Sequence, residues 1–177
     1  SCSSPTPCAR GQEAIDSMRC TPPLLLLLAT LGAFAAQTSW MLENSRDAMT
    51  DGPVVVAYTR VDSGRAREQT VEVRCARGAL SARIGVGEYV PSTEGRTTVL
   101  LRWDEQPPIT GELELDASRG VILIDDPDHF GARLRAHDRL RVRVFERYGT
   151  PIDLDFSLAG SAAPVRAVLD ACPSPGP

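Results

Sequence analysis

The chain has 177 residues and a net charge of −4, which argues against a dedicated nucleic-acid binder. All 19 basic residues are arginine. Without lysine there is no Schiff-base chemistry, no phosphate-loop lysine and no serine/lysine dyad.

Residues 1–17 are polar and aperiodic and read as an upstream extension. Met18 opens a different pattern: Arg19, an apolar run over 24–31, and the small-residue end Ala33-Phe34-Ala35. Residues 18–35 are therefore expected to be a signal peptide, cleaved after Ala35. The run falls short of the roughly 20 apolar residues a spanning helix needs, so no stable membrane span is expected after cleavage. No cysteine stands directly after it, which argues against a lipoprotein. Residues 36–177 remain, a suitable length for one domain. Cys2, Cys8 and Cys20 lie in the leader, leaving Cys75 and Cys172 as a pair. In an oxidising compartment they are expected to bond, with roughly 2 to 4 kcal/mol of stabilisation from closing so long a loop.

Residues 37–50 read as a polar lead in which Trp40 anchors the chain to the core, followed by turn chemistry over 47–53. A strand is expected over 54–59 and a hairpin connection over 61–68. In 70–76, Val71, Val73 and Cys75 alternate with Glu72 and Arg74, so the cysteine points inward. Arg77-Gly78 turns the chain into a strand carrying Leu80, Ala82, Ile84 and Val86. A polar loop over 87–96 holds Tyr89 and precedes a strand over 97–103, which ends before the two prolines of 104–108. Shorter strands are expected over 112–115 and 120–124, the second central because it is apolar on both faces.

Asp125, Asp126 and Asp128 invite a calcium reading, but the glycine and distal glutamate of a calcium loop are missing. Asp126 as N-cap and Pro127 at the first helical position make a helix start instead, with Phe130 and Leu134 buried. His129 and His137 bring no third zinc ligand by spacing. Neither a metal nor any other cofactor is expected. The last hairpin, 139–148 with 152–158, should pair positions summing to an even number. Leu140, Val142 and Val144 then share a face with Leu154, Phe156 and Leu158, and Arg141 and Arg143 oppose Asp153 and Asp155. This paired, solvated face accounts for the arginine run; an anion-binding patch is the competing reading. After Gly160, Ser161 reads as the N-cap of a helix over 161–172 whose stripe is Val165, Val168, Leu169 and Cys172.

The pattern predicts a mainly-β domain, a two-sheet antiparallel sandwich with one short internal helix and a C-terminal helix. No catalytic constellation stands out: Gly160-Ser161 lacks the rest of a nucleophile elbow. Asp104 and Glu105 beside Trp103 are the candidates for a rival reading, an envelope-polymer hydrolase or inhibitor with an aromatic platform. Candidate interaction residues are Tyr89, Arg102, Trp103, Asp104, Arg141 and Arg143, and the loops 60–69 and 87–96 are candidate contact surfaces.

In order, Trp40, the turn Asp47-Ala48-Met49-Thr50-Asp51, Arg74-Cys75, Arg102-Trp103-Asp104, the Phe130 helix, the alternating arginines and Phe156-Ser157-Leu158-Ala159-Gly160 leading to Cys172 form one series. That series resembles the TagO/VasI family of exported proteins associated with type VI secretion, over nearly all of residues 36–177. The chain departs from it at Ala48, where the family usually carries proline, at Trp103, where phenylalanine is commoner, and in the length of the loop 87–96. The family brings no agreed catalytic residues. The resemblance implies a periplasmic accessory of a secretion machine. Together with the missing catalytic constellation and the acidic charge, the expectation is a non-enzymatic module that binds a protein or a cell-envelope component and no nucleic acid.

Overall fold

The computed structural model describes residues 39–172 apart from 62–67, 117, 119 and 147. The expected extension and signal peptide, and most of the 60–69 connection, lie outside the described residues. The elements run β1 (Trp40–Arg46), β2 (Pro53–Val61), β3 (Gln69–Ala76), β4 (Ala79–Gly85), β5 (Arg96–Trp103), β6 (Ile109–Asp116), β7 (Val121–Leu123), α1 (Pro127–Ala136), β8 (Arg139–Phe145), β9 (Pro151–Ser157) and α2 (Ala162–Ala171). The domain is mainly β, with one internal and one C-terminal helix, as the pattern predicts.

All nine strands join in one antiparallel sheet, ordered β1-β2-β3-β4-β7-β6-β5-β8-β9. Its two halves are continuous through β6, which pairs with β5 over Ile109 to Glu114 and with β7 at Leu115 and Asp116. The inward positions of both halves share one core, among them Val71, Val73, Ile84, Trp103, Leu140 and Phe156. At the far side the two edge strands approach: Trp40 of β1 donates its indole N–H to the Ser157 carbonyl of β9 at 3.1 Å. The short apolar strand β7 sits centrally between β4 and β6, as its two-faced hydrophobicity predicts.

Helix α2 packs against β2 and β3, and α1 packs against β4 and, through Phe130 and Arg133, over Trp103 of β5. They cross closely at Gly131, where a Cβ would meet Leu169 Cδ2 at 3.3 Å. The Cys75–Cys172 disulfide, with Cα atoms 5.5 Å apart, ties β3 to the end of α2. Gly120 is required by backbone approach: its φ is +63°, and a Cβ there would stand 2.3 Å from the Glu88 carbonyl oxygen.

Three local expectations are corrected. The polar lead contains a strand: β1 pairs along its whole length with β2. Six of its seven residues are exposed, so it carries no burial alternation to read. The expected 112–115 strand begins earlier, at Ile109, where the chain is an exposed extension beside β5. Ser161 occupies the N-cap position without acting as a side-chain cap. Its backbone is already helical (φ −65°, ψ −31°), so its hydroxyl turns away and donates to the Leu134 carbonyl of α1 at 2.6 Å. Asp126 shows the expected behaviour, its side chain accepting from the His129 N–H at 3.0 Å.

Candidate functional site

Alternation in β8 buries Leu140, Val142 and Val144 and turns Arg139, Arg141 and Arg143 outward. The register with β9 has the even sum expected: Leu140 faces Phe156, Val142 faces Leu154, Arg141 faces Asp155 and Arg143 faces Asp153. On the other side β5 places Arg102 opposite Arg141 and Leu100 opposite Arg143. Three adjacent strands thus set Arg102, Arg141, Arg143, Asp153 and Asp155 around a shallow hollow of about 330 Å³, with Leu100 and Pro108 among its lining.

The pairing inside this face is uneven. Arg143 grips Asp153 with two bonds, at 2.5 and 2.7 Å. That grip holds the Asp153 carboxyl below the usual carboxylate range and pushes the guanidinium up. Arg139 binds Asp155 in the same fork, with a similar upward push. Arg102 holds Glu105 at 2.8 Å and the Gln106 carbonyl at 3.0 Å. Arg141 reaches only partners already engaged, Glu105 at 3.3 Å and Asp155 at 3.7 Å. Within this face it is therefore the cation most available to an incoming anion, since exposed ion pairs of this kind are worth only about 0 to 1 kcal/mol.

The neighbouring residues have structural work instead. Trp103 is 2 % exposed, wedged between Phe130 at 5.5 Å and His137 at 5.4 Å, with the Arg133 guanidinium stacked over its ring. It offers no surface platform, which corrects its place among the interaction candidates and removes the aromatic element of the hydrolase reading. Asp104, at φ 48°, accepts from the backbone N–H groups of Asp138 and Arg139 at 3.0 and 2.9 Å. Its second oxygen lies 2.7 Å from His137 Nδ1. The His137 contact, with help from the two backbone donors, holds the carboxyl below its ordinary value. Among the described residues no serine, threonine or cysteine side chain bonds to His137, and no group of three or more His, Cys, Asp or Glu is arranged to hold a metal. Tyr89 is 65 % exposed on the 87–96 loop, away from the lining of the arginine hollow.

No protein-family model matches the chain, and no curated protein matches it. The chain is similar in fold to the crystal structure of invasion associated protein B from Bartonella henselae, with a TM-score of 0.51 and 18 % identity. The likeness covers 76 % of this chain and 96 % of that one. At that identity it shows a shared fold and carries no residue roles.

Of the candidates named from sequence, Arg102, Arg141 and Arg143 come together on one face, while Tyr89 and the buried Trp103 do not join it. Sequence reasoning missed Leu100, although the inward positions of Val99 and Trp103 already send Leu100 and Arg102 outward. It also missed a groove on the outside of β1 to β4, because Glu43 was read as part of a lead and not of a strand. Among the described residues no helix is long and apolar enough to cross a membrane.

Proposed function

We propose that this chain is a non-enzymatic, exported binding module, a periplasmic accessory of a type VI secretion system, whose β5-β8-β9 face contacts acidic groups of a protein or cell-envelope component. The observation that carries the reading is Arg141, a cation with only shared partners at the centre of a rigid three-strand face. The ordered resemblance to TagO/VasI proteins supports the setting, and the Cys75–Cys172 disulfide suits an oxidising compartment. Loss of this face should abolish capture while leaving the fold intact, because every residue involved is on the surface.

The test is affinity capture from periplasmic and envelope extract, comparing the native chain with an Arg141→Gln, Arg143→Gln variant of unchanged melting midpoint. Enrichment of secretion-machine subunits by the native chain alone supports the reading. Recovery of glycan or lipopolysaccharide without those subunits replaces it with a stand-alone envelope binder, and equal capture by the variant removes the arginine face from either account.

A further inference from the structure

The outer face of β1 to β4 forms a groove of about 610 Å³ whose charged residues are mostly matched. Arg83 pairs with Glu72 at 2.7 Å, Arg60 with Glu68 at 3.2 Å, and Arg46 donates to the Asp51 carbonyl at 2.9 Å. Two groups in the groove are left over. Glu43 and Arg74 make no side-chain hydrogen bond or ion pair among the described residues, and Arg74 is half-buried. They belong to one cross-strand row: Glu43 faces Val56, and Val56 faces Arg74. Two strand spacings place their backbones about 10 Å apart, with an apolar valine between.

We propose that this groove binds a short peptide with free termini, its ammonium group at Glu43, its carboxylate at Arg74 and its middle over Val56. The proposal is independent of the arginine face on the other half of the sheet. An extended chain covers about 3.3 to 3.6 Å per residue, so two or three residues span the gap. A half-buried guanidinium with no carboxylate partner gains a charge-assisted, two-pronged bond from a terminal carboxylate. The sign pattern also selects. A polyanion would meet Glu43 and Glu72, and a simple cation would meet Arg74, whereas a molecule carrying both charges, separated by an apolar stretch, complements the row.

The test is titration of Ala-Ala-Ala into the ¹⁵N-labelled chain, following backbone amide shifts. Saturable shifts in β2 and β3 are expected, with binding weakened about tenfold or more by N-acetylation or by C-amidation, as for loss of one charge-assisted bond. Glu43→Gln and Arg74→Gln should each weaken binding to a similar degree, while Arg143→Gln on the opposite half should leave it unchanged. The dispersed spectrum of each variant reports its folding in the same experiment. Absence of saturable shifts, equal binding of the blocked peptides, or tighter binding of phosphoethanolamine than of the tripeptide would overturn the proposal.

Discussion

The two halves of the sheet are fastened by different physics. The half built from β1 to β4 is held by a covalent link and by packing: the Cys75–Cys172 bridge, the two helices, and the Ser161 bond that joins one helix to the other. The half built from β5, β8 and β9 shares the same core and adds charge at its surface, through Asp104 under the β5–β8 connection and the Arg–Asp forks of the final hairpin. A disulfide is indifferent to moderate salt and acid, whereas exposed charge pairs weaken with both. The two proposed binding surfaces differ likewise: the groove leaves Glu43 and Arg74 apart among matched pairs, and the other face crowds its charges into pairs with Arg141 sharing its partners.

The largest effect should come from cutting the covalent fastening. Replacing both cysteines (Cys75→Ser, Cys172→Ser), or reducing the native protein, should cost about 2 to 5 kcal/mol in urea unfolding. An unchanged midpoint would mean that packing alone holds the first half. A smaller effect separates the two helix starts. Ser161→Ala leaves the buried Leu134 carbonyl without its donor and should cost about 1 to 3 kcal/mol. Asp126→Ala removes an exposed cap and should cost about 1 kcal/mol. Equal losses for the two would contradict their different roles.

The smallest and most conditional effects belong to the surface charges of both halves. Asp104 has a folded carboxyl value below its ordinary 3.8, so its stabilisation is fully present above that pH. It is lost as the pH falls through the folded value. Asp47, in the β1–β2 turn, is held at about 2 by the Met49 N–H, Arg77 and Thr50, and its contribution drains away over the same acid range. Calorimetric melting midpoints should therefore fall between pH 4 and pH 2, with a shallower fall in Asp104→Asn. A midpoint flat across that range would show that these carboxylates contribute nothing. Arg143→Gln at pH 7 should leave the midpoint nearly unmoved.

Much of this division was legible in the sequence where burial imposes a rhythm. The inward cysteine of β3, the central position of β7, the cap of α1 and the register of β8 on β9 all follow from alternation or from local capping chemistry. Where burial is absent the rhythm is too. β1 buries only Trp40, so nothing in Met41 to Arg46 announces a strand; it exists because β2 offers it a complete ladder. The role of Ser161 was hidden for a different reason, since its partner Leu134 lies 27 residues away on another helix. Trp103 looks the same in sequence whether it serves as a platform or a core residue, and only Phe130, Arg133 and His137 folding over it decide the matter. The arginine face was half legible: residue parity found its arginines and their opposing aspartates, while the unequal sharing at Arg141 depends on distances that no spacing encodes.

The bridge between Cys75 and Cys172 has a consequence for a chain that is cut. Everything from β4 to α2 lies between the two sulfurs, including the loop 87–96, which is exposed at Tyr89 and over 92–96. A single protease cut in that loop yields two pieces that remain one covalent body, joined also where β4 of one piece pairs with β7 of the other. Such a nicked molecule should run intact on a non-reducing gel and separate only when reductant is added, so this protein can be opened at its loops without being taken apart.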